Sequence, residues 1–157
     1  MADTPQHLAE RLQAEGAKSL AFFKALTRDQ WDVTVYTDGA RWSIQSLLCH
    51  FVGTEVSFQR LIDNILSGGE GAPEDFDLNR YNQRKVADLS GLPLDILFEH
   101  FRLARQRTVE IVQALSEKDL ERRGRHPFLG VVPLLEIIKM VYLHNQIHLR
   151  DLRKLVA

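Results

Sequence analysis

The sequence predicts an all-α protein, a four-helix bundle with a long crossover between helices two and three. Three observations carry this reading. Four segments repeat apolar residues at three- and four-residue spacing, the signature of amphipathic helices. No stretch sustains the apolar–polar alternation of a half-buried sheet. The segment from Gly68 to Gly91, rich in glycine, acidic residues and asparagine, is longer than a tight helical hairpin needs. A connection of that length crosses a bundle, which lets the helices it joins run parallel.

The first helix begins with Thr4 as N-cap and Pro5 at N1, where the missing N–H of proline would be unpaired in any case. Leu8, Leu12, Gly16, Leu20 and Phe23 then mark one face, to about Leu26. Thr27 to Arg41 breaks the period. Within it Trp31-Asp32-Val33-Thr34-Val35-Tyr36 alternates apolar and polar residues before the turn signal Asp38-Gly39, so it reads as an extended connector.

Ser43 is the N-cap of the second helix, whose apolar face runs from Ile44, Leu47 and Leu48 through Phe51 and Phe58 to Ile62 and Ile65, and Gly68-Gly69 ends it. The crossover that follows holds at most one short helix, around Leu78 to Asp88. The third long helix runs from Pro93 to about Leu115, and a second irregular connector spans Ser116 to Val132. The last helix starts near Pro133. Because Leu26-Thr27 and Leu115-Ser116 open similar polar runs, the chain reads as a weak two-fold repeat of helix, connector, helix.

At 157 residues the chain is expected to form one domain over 1–157, large enough to bury a core without disulfides. The formal net charge is −1 and the pI about 6.6. The basic run Arg122-Arg123-Gly124-Arg125 is short, so no nucleic-acid partner is expected. No basic region followed by an apolar run opens the chain, and no stretch approaches the roughly 20 apolar residues of a membrane span. The expectation is a cytoplasmic protein with no membrane partner. A single cysteine, Cys49, excludes an internal disulfide and a thiolate-rich zinc site, which leaves imidazole, carboxylate and water to hold any metal.

The chemistry-bearing stretch is Val141-Tyr142-Leu143-His144-Asn145-Gln146-Ile147-His148. His144 and His148 project from one helix face a turn apart, so both imidazoles can reach one ion, with a third ligand from another element. Ile137, Val141, His144, His148 and Leu152 share a stripe, which points both histidines inward. On the second helix Leu47, His50, Thr54, Ser57 and Leu61 share another, with small polar groups below the histidine in the manner of a cavity lining.

Leu26-Thr27-Arg28-Asp29-Gln30-Trp31, then Arg41-Trp42-Ser43-Ile44-Gln45-Ser46-Leu47-Leu48-Cys49-His50, then the paired histidines of the last helix, resemble the DinB-like superfamily over nearly the whole chain. The resemblance implies a bundle of up-down-down-up order. It implies a divalent ion, zinc or nickel, held by His50, His144 and His148 with water in the open positions, and pairing as a homodimer. It also implies a metal-dependent enzyme acting on a small-molecule substrate, either a transferase using a low-molecular-weight thiol or a hydrolase. The alternative is a non-catalytic, stress-related metal- or ligand-binding helical bundle. Leu149, Arg150 and Asp151 stand where many relatives carry a further histidine and a glutamine, so no single enzymatic branch is selected.

Other candidates read more plainly. Glu55 lies off the His50 stripe and is expected to be solvated or ion-paired rather than a general base. Asp151, one turn after His148, either orients a ligand histidine or pairs with Arg150 or Arg153, the commoner outcome. Cys49 points about 100° away from His50 and is expected to be a small buried hydrophobe. His126 and His100 are expected to be ordinary residues, and Trp31 and Trp42 to pack the connector on the bundle.

Overall fold

The computed structural model describes residues 3–36 and 41–156, so the Asp38-Gly39 turn signal lies outside the described residues. Five α-helices are present among them: α1 (Pro5–Lys24), α2 (Ile44–Leu66), α3 (Leu78–Leu89), α4 (Leu94–Gln113) and α5 (Leu134–Val156). This corrects the expected four-helix bundle. The additional helix, α3, sits inside the crossover, capped by Asp77, whose side chain accepts from Arg80 N–H. Only Val86 of α3 is buried, so it lacks the repeated apolar stripe that marks the other helices and owes its place to α2, against which Val86 and the Tyr81 hydroxyl pack.

Contacts between named residues give the helix directions. Phe51, Glu55 and Gln59 of α2 meet Phe101, Arg105 and Thr108 of α4, rising together, so these two helices run parallel across the crossover. Arg11 and Phe22 of α1 meet Tyr142 and Arg153 of α5 in the same sense. Phe23 at the end of α1 packs on Phe51 near the start of α2, and Lys24 lies over Phe98 near the start of α4. α1 therefore runs against both.

Each connector folds into a short 3-10 turn followed by an antiparallel hairpin. β1 (Thr34–Tyr36) pairs with β2 (Trp42–Ser43), and β3 (Arg123–His126) pairs with β4 (Gly130–Pro133). Strands of two to four residues are too short to carry a periodic pattern. The same order of helix, 3-10 turn, hairpin and helix occurs twice, from α1 to α2 and from α4 to α5. Ser43 caps α2 in a reciprocal pair with Ser46, which ties the first hairpin to the helix that carries His50.

The apolar core falls into two clusters, one around Leu12, Phe58, Ile62, Val112 and Ile137, the other around Phe23, Phe51, Leu97, Phe101 and Leu152. A polar layer lies between them. Each long helix contributes to it midway: Gly16 from α1, Glu55 from α2, Arg105 from α4 and Asn145 from α5. The guanidinium of Arg105 donates to both carboxylate oxygens of Glu55 at 2.8 and 2.9 Å, to the Leu12 carbonyl at 3.0 Å and to Asn145 Oδ1. Gly16 is required there because a Cβ would stand 2.7 Å from Arg105 Cγ. Among the described residues no helix is long and apolar enough to cross a membrane.

Candidate metal centre

Asn145 of the polar layer adjoins a cluster of three histidines, of which His144 is its neighbour in the chain. His50 comes from α2, and His144 and His148 come from successive turns of α5. Nε2 of His144 lies 2.9 Å from Nε2 of His50 and 3.0 Å from Nε2 of His148. A candidate ligand atom from each of the three lies within 4.8 Å of the others. Ligand nitrogens around a tetrahedral zinc, at about 2.0–2.1 Å from the ion, stand ~3.3 Å apart. The spacing suits donors gathered about one centre.

The outer ring nitrogens set the tautomers. The Tyr36 hydroxyl lies 2.9 Å from His148 Nδ1 and donates its only proton to Asp151 Oδ2, also at 2.9 Å. It therefore accepts from His148 Nδ1–H, which leaves the Nε2 lone pair facing the cluster. Thr54 Oγ1 stands 3.3 Å from His50 Nδ1 and can serve that ring in the same way. His144 Nδ1 is buried without a partner among the described residues.

All three imidazoles are held neutral. Burial, reinforced by His148, pushes His50 down to about 3. Burial, followed by the neighbouring His50 and His148, holds His144 well below the usual imidazole range. Burial lowers His148 to about 4 despite the opposing pull of Asp151. Neutral imidazole is the ligating form. Two lone pairs directed at a third nitrogen leave the centre rich in electron density and poor in protons, an arrangement that a divalent cation satisfies. The residues present therefore fit the metal, and among the described residues no fourth histidine, cysteine or carboxylate joins the cluster.

Aromatic rings wall the site. Trp42 lies 4.9 Å from the His50 ring, and Phe51 lies 6.1 and 5.9 Å from those of His144 and His148. His144 and His148 are only partly buried, so the cluster is not sealed.

Glu55 takes the ion-paired of the two roles expected of it, in a buried pair with Arg105. Asp151 has both expected roles, accepting from Tyr36 and lying 3.8 Å from Arg150 Nε. Cys49 is fully buried, and burial raises its thiol to about 11, far from a nucleophile. His100 is exposed, whereas His126 is buried against Phe58. Trp31 packs on Phe23 and Phe98. Tyr36 was not anticipated as a site residue: 112 positions separate it from His148, and no spacing in the chain signals the contact.

The profile of the DinB superfamily matches residues 5–152. The chain belongs to the DinB superfamily. None of the curated proteins matches this DinB protein by sequence. Among solved structures, YfiT from Bacillus subtilis, described as a probable metal-dependent hydrolase with an unusual four-helix bundle topology, superposes with a TM-score of 0.75 at 18% identity, covering 96% of this chain and 85% of that one. The mycothiol-dependent maleylpyruvate isomerase gives 0.73 at 18% identity over 96% of this chain and 63% of its own. The colibactin self-resistance protein ClbS, crystallised with double-stranded DNA, gives 0.73 at 15% identity over 98% of both chains. At these identities the likeness is one of fold.

The complex of ClbS with DNA corrects the exclusion of nucleic acid made from charge. Net charge sums the whole chain, while binding depends on the local field, so a near-neutral total does not exclude such a partner.

Proposed function

We propose that this DinB protein is a metal-dependent enzyme that transfers a low-molecular-weight thiol to a small molecule, or hydrolyses one, at zinc or nickel held by Nε2 of His50, His144 and His148. The observation that carries the reading is the convergence of three neutral imidazoles, with the Tyr36 hydroxyl between His148 Nδ1 and Asp151. Imidazole donors suit either metal. A divalent ion in such a site supplies Lewis acidity, lowering the pKa of a thiol or water brought to it.

The chain's own groups define the rest. Tyr36 and Thr54 hold the orientation of His148 and His50, and Trp42 and Phe51 keep one side of the cluster dry. Three protein donors without a fourth favour a reactive site over a closed structural one. Hydrolysis calls for a general base beside the attacking water. Glu55 is neutralised by Arg105 and Asp151 is engaged by Tyr36, which favours thiol transfer between the two chemistries.

Elemental analysis of tag-free protein beside the His144→Ala variant tests the site. The reading expects about one equivalent of divalent metal in the parent and a loss of it in the variant. Metal-loaded protein is then assayed with cysteine or glutathione against an alkyl halide electrophile, and with activated esters. Metal absent from both proteins after incubation with zinc and nickel would remove the proposal.

A further inference from the structure

Below His50 the same stripe of α2 continues through Thr54, Ser57 and Leu61 into a cavity of about 270 Å³, bordered by α3, the crossover and the β3–β4 hairpin and open to solvent. Its walls are apolar, with Phe58, Leu61, Phe76 and Leu78 prominent. The crossover wall is anchored. Arg125 N–H donates to the Glu70 carbonyl and Ala72 N–H to the Arg125 carbonyl, each at 2.8 Å. Gly71 between them adopts φ +91°, and a Cβ there would collide with the Arg125 backbone. The cavity is therefore a built feature with fixed walls.

His126 offers the cavity a hydrogen-bond donor. His126 is 8% exposed, and its Nδ1 accepts from the backbone N–H groups of Phe128 at 3.0 Å and Leu129 at 3.1 Å. That use of the Nδ1 lone pair places the ring hydrogen on Nε2. Among the described residues no acceptor meets this Nε2–H, and the imidazole, stacked on Phe58 with centroids 5.6 Å apart, lines the cavity. A donor in the lining with no protein acceptor is available to an oxygen atom of a ligand.

Two further residues give the site its direction. Thr54 both lines the cavity and stands 3.3 Å from His50 Nδ1, so the cavity adjoins the outer side of that histidine. Arg60, also in the lining, is exposed and forms no ion pair with the described residues, unlike Arg125, which pairs with Glu74 at 3.1 Å. Ser57 and Tyr81 satisfy each other at 2.6 Å and add little polar demand.

We propose that this cavity is the substrate pocket of the three-histidine site and takes a small organic acid. Its apolar body packs on Phe58, Leu61 and Phe76, one oxygen accepts from His126 Nε2–H, and its negative charge meets Arg60. The pocket's role as a substrate site rests on the metal-enzyme reading, whereas binding of the acid does not require the ion.

Calorimetry with 4-phenylbutyrate and its uncharged counterpart 4-phenylbutanol tests the proposal, on protein with and without one equivalent of zinc. The acid is expected to bind one-to-one, about tenfold or more tighter than the alcohol. Arg60→Ala, on an exposed side chain, should bring the acid close to the alcohol and leave the alcohol unchanged. Ala72→Phe, which keeps the backbone bonds and fills the cavity, should abolish both. His126→Phe keeps the ring against Phe58 without the donor and should weaken both, with His126→Gln restoring part of the loss. No binding of the acid at millimolar concentration, or binding that survives Ala72→Phe unchanged, overturns the pocket. Zinc bound without the acid sinks this inference alone, and the acid bound without zinc uptake sinks the metal reading alone.

Discussion

The hydroxyl of Tyr36, on β1, stands 2.9 Å from Nδ1 of His148 on α5 and donates to Asp151 one turn further along that helix. A carboxylate thus reaches a candidate ligand histidine through a phenol, and burial together with Asp151 raises the phenol to about 12, which keeps it protonated. Tyr36→Phe removes the acceptor for His148 Nδ1–H while leaving the ring in place. Zinc affinity, measured by competition with a chromophoric chelator, should fall about 10–100-fold, with one equivalent still bound at saturation. An unchanged affinity would mean that the hydroxyl does not orient the ligand.

Acid should destabilise the metal-free protein through its buried histidines. His50 at about 3, and His126 and His148 at about 4, all lie below their unfolded value, and His144 is displaced in the same direction. The unfolded chain therefore binds more protons, so their contribution is present in full above about pH 6.5 and is lost as pH falls toward 4. Urea midpoints measured from pH 8 to 5 should drop, and His126→Gln should flatten part of that slope.

Arg105→Met should leave the Glu55 carboxylate buried without its cation. Both side chains are nearly inaccessible, at 5% and 2% exposure, so the loss is expected to be about 3–5 kcal/mol in urea unfolding. The double variant Arg105→Met/Glu55→Leu should recover much of it, because an apolar pair needs no compensating charge. If the single and double variants prove equally unstable, the loss comes from the Leu12 and Asn145 bonds instead.

Cys49 should resist alkylation in the folded state. It is completely buried and its thiol is raised to about 11, so little thiolate forms at neutral pH. Iodoacetamide labelling followed by mass spectrometry should show modification only after denaturant is added. Rapid native labelling would reveal opening of the helix that carries His50.

Much of this architecture was legible because periodic burial leaves a local trace. The apolar spacing of the long helices and the length of the Gly68 to Gly91 segment were enough to expect a crossover bundle. The inward stripes of His50, His144 and His148 were visible for the same reason. α3 was underweighted because a helix with one buried residue shows no apolar stripe. The first hairpin left a trace in the alternation of Trp31 to Tyr36, which reads as an extended connector, whereas the four-residue strands of the second left no measurable period.

The sequence by itself determined the apolar stripe that each long helix turns inward, since side-chain direction follows from 3.6 residues per turn and the caps at Thr4 and Ser43. Only the tertiary structure decided what those faces meet. It set Arg105 against Glu55 across 50 positions, His50 against His144 across 94, and Tyr36 against His148 across 112. Such partners are chosen by how the helices cross, and helix periodicity carries no information about which distant residue a given face will touch.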